Sequence, residues 1–169
     1  MKKILVLLFF AAVFCACSED AKVRSAITER VKNDLAAPGS FKFVSMERVQ
    51  TFTVESEAKR AANLIPEGKG DWIVDADGGG HYGYPAKERK AAALQELAAT
   101  MQKDSVVGGV YRFNYRADVP GRGRDFPAEL YFVAALDGTI GGVGLTEYDA
   151  IYRSPTIVKE FVDFTRYDD

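Results

Sequence analysis

Gly78-Gly79-Gly80-His81-Tyr82-Gly83 carries the letters G-x-G-x-x-G. Such glycines can let a backbone close on a pyrophosphate at a helix N-terminus. A strand candidate precedes them, but Tyr84-Pro85 delays the next helix and no second βαβ unit follows. An isolated match of this kind reads as a glycine loop. Asp75-Ala76-Asp77-Gly78 has the opening of a calcium loop, yet the third ligand would be Gly79 and the closing glutamate would be Ala86. An acidic turn is the better reading. Those two carboxylates could also form an acid–base pair, but nothing nearby identifies a substrate. His81 is the single histidine and reads as exposed in its loop. No serine elbow and no HExxH is present. No catalytic residue, cofactor site or metal site is expected.

The other residues with chemistry are Cys15 and Cys17, and their setting is specific. Met1-Lys2-Lys3 is a short positive segment, and the thirteen residues Ile4–Ala16 carry no charge. That run is shorter than the roughly 20 residues that span a bilayer and suits a secretory signal. Its end, Phe14-Cys15-Ala16-Cys17, resembles the bacterial lipobox, with Ala16 and Cys17 matching and Phe14 and Cys15 departing. The resemblance implies cleavage before Cys17, a lipid such as palmitate on its thiol, and a signal peptide over residues 1–16. Aspartate does not directly follow Cys17, which favours the outer membrane over the inner. Ser18-Glu19-Asp20 resembles the surface-export signal of some Bacteroidota lipoproteins, so cell-surface display is an alternative. An acidic start to the first helix explains the same residues.

Residues 17–169 read as one exported domain large enough to bury a core without staples. The formal charge falls from −2 to −4 once Lys2 and Lys3 are removed. A mildly acidic chain without a basic run argues against nucleic acid as a partner. Cys17 is the only cysteine after cleavage, so no disulfide is available. One histidine and no cysteine pair argue against zinc.

These residues need elements to position them. Val23, Ile27, Val31 and Leu35 form one apolar stripe, predicting a helix over 19–37 that Pro38-Gly39 stops. A strand over 40–54 follows. Residues 57–64 could make a turn or two of helix, and 71–77 a short strand. A helix over 86–103 presents Leu94, Leu97, Ala98 and Met101 to a core. Ser154-Pro155 opens a C-terminal helix, with Ile157, Val158, Phe161, Val162 and Phe164 apolar.

The strongest pattern is a three-strand meander over 106–145. Tyr111, Phe113, Tyr115, Ala117 and Val119 alternate with Arg112, Asn114, Arg116 and Asp118, and on the next strand Phe126, Ala128, Leu130, Phe132, Ala134 and Leu136 alternate with Pro127, Glu129, Tyr131, Val133 and Ala135. A turn over 120–125 would pair Phe113 with Phe132 and Arg116 with Glu129. A two-residue type I′ turn at Asp137-Gly138 would pair Phe132 with Val143 and Leu130 with Leu145. The fold class is therefore α+β: an antiparallel sheet with this meander packed against helices, cystatin-like or NTF2-like in general appearance.

On the meander's outer face Tyr131, Val133, Ala135 and Ile140 would form an apolar strip with Arg112 across from Val133. Arg112, Tyr131, Val133 and Ile140 are thus a candidate partner surface, unless a local segment covers them. Val31-Lys32-Asn33-Asp34-Leu35-Ala36-Ala37-Pro38-Gly39-Ser40-Phe41-Lys42-Phe43 resembles a helix-to-strand junction of small exported bacterial domains of unknown function. With its signal, the whole chain resembles the broad class of uncharacterised bacterial lipoproteins. The resemblance implies a location in the cell envelope, with the membrane contacted through the lipid. The expected role is non-enzymatic binding of an envelope protein or small ligand. A small NTF2-like periplasmic enzyme or ligand-pocket protein is the alternative.

Overall fold

The computed structural model describes residues 20–66, 72–74, 76–82 and 86–166, so Cys17, Asp75 and Gly83 lie outside the described residues. No described helix is long and apolar enough to cross a membrane. The architecture is α+β, with a four-stranded antiparallel sheet packed against helices. By contacts the chain divides into two compact units. The first contains the N-terminal residues through Thr51 and Gly108–Ser154; the second contains Phe52–Val107 and the C-terminal residues from Pro155.

The first unit begins with helix α1, residues 20–34. Its stripe Val23, Ile27 and Val31 is buried, as the four-residue spacing predicts. A 3₁₀ turn at Pro38–Ser40 stops the chain and turns it into strand β1, Lys42–Thr53. The Ser40 hydroxyl fixes this junction by donating to Ala37 O at 2.7 Å and accepting from the Asp118 amide at 2.9 Å. In chain order the other strands are β2 (Trp72–Val74) and β3 (Gly80–Tyr82) of the second unit, then β4 (Val106–Val119), β5 (Gly123–Ala135) and β6 (Ile140–Gly144). The large sheet has the order β1-β4-β5-β6. Tyr111, Phe113, Tyr115 and Ala117 point into the core with Phe132 and Ala134, against α1. Phe113 meets Phe132 edge-on at 6.1 Å and stacks on Phe41 at 6.3 Å.

Two turns correct the expected register. Pro120-Gly121 occupies the centre of a tight turn in which the Arg122 amide donates to Val119 O at 3.0 Å and Gly121 has φ +78°. That is type II geometry, which needs positive φ at its third residue. The tighter turn moves the β4–β5 pairing by two residues: Phe113 faces Leu130, Tyr111 faces Phe132, and Arg112 faces Tyr131. A shift of two preserves every face, so the buried alternation stands. Arg116 therefore faces Pro127 instead of Glu129.

The second turn changes a face. Asp137 lacks the positive φ that type I′ requires, and only Gly138, at φ +92°, adopts it. Gly138 N donates to Ala135 O and Ala135 N to Thr139 O, giving a three-residue turn that ends in a glycine bulge. Ala134 then pairs with Ile140, and a further shift restores Phe132 opposite Val143. Ile140 consequently packs with the core cluster and leaves the outer strip. Leu145 lies beyond β6 and is exposed, so the expected Leu130–Leu145 pair does not form.

The second unit opens with α2 (Val54–Leu64). Thr53 and Ser56 cap it reciprocally, each side chain accepting from the other's amide. Helix α3 spans Ala86–Thr100. Val54, Ala58, Ala61 and Ile65 pack with Leu94, Ala98, Val158 and Phe161. The predicted face of α3 is borne out: Leu94 and Ala98 are buried, with Leu97 and Met101 against them.

At the centre of this unit is Glu57, 0 % exposed. Arg60 grips it with Nε to Oε2 at 2.9 Å and Nη2 to Oε1 at 2.6 Å. The Thr156 hydroxyl and the Ile157 amide also donate to Oε1, at 2.9 and 2.8 Å. Arg60 Nη2 donates to Pro155 O as well, at 2.6 Å. These bonds hold residues 155–157 in an irregular segment, and the expected C-terminal helix is corrected to a 3₁₀ turn at Lys159–Thr165. An amide that a helix start would orient along its own axis is instead committed to Glu57.

Candidate functional site

The glycine run that opened the sequence reading lies in a hairpin. Val74 pairs with Gly80, Ile73 with His81 and Trp72 with Tyr82. Asp77 Oδ1 accepts from the Gly79 amide at 3.0 Å, and Gly78 has φ +83°. Gly80, His81 and Tyr82 of the G-x-G-x-x-G pattern are therefore strand β3, and the described glycines, Gly78 to Gly80, sit at a hairpin and not at a helix N-terminus. Asp77 spends a carboxylate oxygen on its own turn. Among the described residues no group of three or more potential ligands could hold a metal ion.

The four residues of the candidate partner surface separate. Arg112 and Tyr131 are brought together as cross-strand partners on the outer face. Arg112 Nη2 pairs with Glu47, and this carboxylate, against the opposing effect of burial, raises the guanidinium pKa. The Tyr131 hydroxyl donates to Glu129 Oε1 at 3.2 Å. Val133, by contrast, is 0 % exposed and faces Gly142. The cover is a short helix absent from the sequence reading, α4 (Glu147–Tyr152), capped by the Thr146 side chain. A Cβ on Gly144 would lie 2.5 Å from Ala150 N, and one on Gly142 2.5 Å from Ala150 O. The two glycines admit α4 against β6, which seals this end of the strip. Ile140 is turned to the core as described. The apolar strip is therefore corrected: one part is covered, one part is inverted, and the remaining outer face carries ion pairs.

A cleft on the first unit lies at the head of α1. It measures about 360 Å³ and is lined by Asp20, Ala21 and Arg24 of α1 and by Phe43, Met46 and Arg48 of β1. Arg24 and Asp20 are four apart and share a helix face. From the residue before β1 onward, the inward residues change from Phe41 and Phe43 to Met46 and Arg48, a one-residue break in alternation. That break brings Phe43 and Arg48 to one cleft. The Arg24 guanidinium sits 5.6 Å from the Phe43 ring centroid, and Arg48 sits 5.4 Å from that of Tyr111. Arg48 also pairs with Asp20. Burial opposes the Arg48 charge, but the Asp20 carboxylate and Tyr111 together outweigh it and raise the pKa. The Arg48 Nε has no hydrogen-bond partner among the described residues. Arg24 has no carboxylate partner there, and Phe43 is 40 % exposed. Two guanidinium groups, one carboxylate and an apolar wall thus share one recess. Sequence reasoning passed over it because neither Arg24 nor Arg48 belongs to a motif. The only sequence signal is Asp20 and Arg24 one turn apart, with two arginine–aromatic pairs that the fold alone assembles.

The chain matches no family model, no curated protein and no solved structure.

Proposed function

We propose that this chain is a lipid-anchored bacterial cell-envelope protein that works by binding and not by catalysis. The pattern Met1–Cys17 supports export and a lipid on Cys17. The anchor favours the outer membrane, since aspartate does not directly follow the cysteine. Binding is supported by one observation above the rest. The space between α1 and the sheet is filled by Val23, Ile27, Tyr111, Phe113 and Phe132, while charged and aromatic groups gather in an open cleft outside it. An NTF2-like enzyme would need a polar recess within that interior. A recess outside it, where two guanidinium groups and an apolar wall meet, suits recognition of a small ligand.

Metabolic labelling with radioactive palmitate tests the anchor. Wild type should carry label in the membrane fraction, and Cys17→Ala should carry none and leave that fraction. Equal label on both proteins would contradict the proposal.

A further inference from the structure

We propose that the cleft between α1 and β1 binds a small organic monocarboxylate with an apolar body, its carboxylate held by Arg24 and Arg48 and its body lying on Phe43 and Met46. This deepens the binding reading above and does not depend on the tether. Arg24 and Arg48 bring two positive charges to the recess, and Asp20 brings one negative charge. The surplus is one, which a singly charged anion neutralises. A phosphate dianion would overshoot and sit against Asp20. Guanidinium forks match carboxylates through paired N–H donors. Arg24 lies over the Phe43 ring and has no carboxylate partner among the described residues. Arg48 has five N–H donors, more than one Asp20 carboxylate can occupy.

The wall beside these cations is unlike a rim for a simple ion. Phe43 remains 40 % exposed even though its ring meets Phe113 at 5.5 Å, and Met46 of β1 and Ala21 of α1 add further apolar lining. Covering that surface rewards an apolar group attached to the anion. The cleft's volume of about 360 Å³ falls at the small end of ligand sites. Both walls are elements packed on the core through Val23 and Met46, so the recess is formed before a ligand arrives.

Calorimetric titration of the full-length protein in phospholipid nanodiscs with cinnamate tests the proposal. Acetate keeps the charge, cinnamamide keeps the body, and inorganic phosphate offers a different anion. Cinnamate should bind saturably at one site, with each of the other three about tenfold or more weaker. Arg24→Gln should weaken cinnamate about tenfold and lower the melting temperature only slightly, since the fold loses its cation–π contact with Phe43. Asp20→Asn should tighten it about threefold by raising the surplus charge, a gain that damage to the fold would not produce. Cinnamamide or phosphate binding as well as cinnamate would overturn the proposal. So would wild-type affinity in Arg24→Gln, or no saturable binding up to about 10 mM. Palmitate labelling is read separately, so failure of the cleft and failure of the anchor are distinguishable.

Discussion

The two units place charge in opposite positions. In the first, Lys42, Arg112 and Arg116 pair with Asp125 and Glu47 at the outer face of the sheet, and the interior is aliphatic and aromatic. In the second, Glu57 and Arg60 form an ion pair at the centre, where the carboxylate is fully buried and the apolar residues are mostly small. Solvated pairs contribute little to stability and mainly leave a face soluble. A buried pair is different: it stabilises only while every partner is present, and removal of one strands the other. The first unit is therefore held by side-chain volume. The second depends on a polar contact that joins α2 to a segment a hundred residues later.

The largest effect that would sharpen this contrast is at Glu57. Glu57→Ala leaves Arg60, Thr156 and the Ile157 amide without their shared acceptor, and should cost about 3–5 kcal/mol in urea unfolding. Hydrogen exchange should place the loss in α2 and residues 155–158 more than in α1. Wild-type stability would break the contrast. Next comes Gly144→Val on the first unit. A side chain there meets Ala150 N and Asp149 Cβ, both at 2.5 Å from an added Cβ. Displacing α4 should cost about 1–3 kcal/mol and raise exchange at Val133, with Phe113 and its neighbours unaffected. An unchanged melting curve would show that α4 is not seated on β6.

A smaller effect is expected at the entry to the second unit. Thr53→Ala removes half of a reciprocal cap and should cost about 1 kcal/mol. A neutral result would place the start of α2 elsewhere. The smallest effect concerns the exposed Asp125. The Lys42 ammonium leads, desolvation opposes it, and with Arg116 beside it the carboxyl pKa is lowered. A lowered folded-state value means that its contribution is present above the unfolded value and is lost as pH falls through the folded one. Asp125→Asn should therefore narrow the stability difference between neutral pH and about pH 3. An unaltered acid limb would remove this outer-face pair from the account.

The same contrast explains what could be read from residue order. Alternation from Tyr111 to Ala117 and the stripe Val23, Ile27, Val31 each declare a face locally, so the meander and α1 are legible. The registers between them are set by single turns. Pro120-Gly121 shifts one pairing by two, and the bulge at Gly138 turns Ile140 inward. Composition alone does not separate a type I′ turn from a three-residue bulged one, since both accept Asp-Gly. Helix α4 is only six residues long and too short to show a period. In the second unit β3 is only Gly80, His81 and Tyr82, of which Tyr82 alone favours a strand. The C-terminal segment fails to become a helix because Glu57, a hundred residues away, claims the Ile157 amide. The cleft is illegible for a related reason: Arg24, Phe43 and Arg48 meet only after β1 breaks its alternation.

The central claim is that recognition belongs to the first unit, at the head of α1, with the second unit serving its own clasp. Amide chemical-shift mapping of the full-length protein with cinnamate tests this most directly. Concentration-dependent shifts should be confined to residues 20–24 and 43–48, and in Arg24→Gln they should need about tenfold more cinnamate. Shifts centred on the outer face at Arg112 and Tyr131, or on α2 and α3, would contradict it.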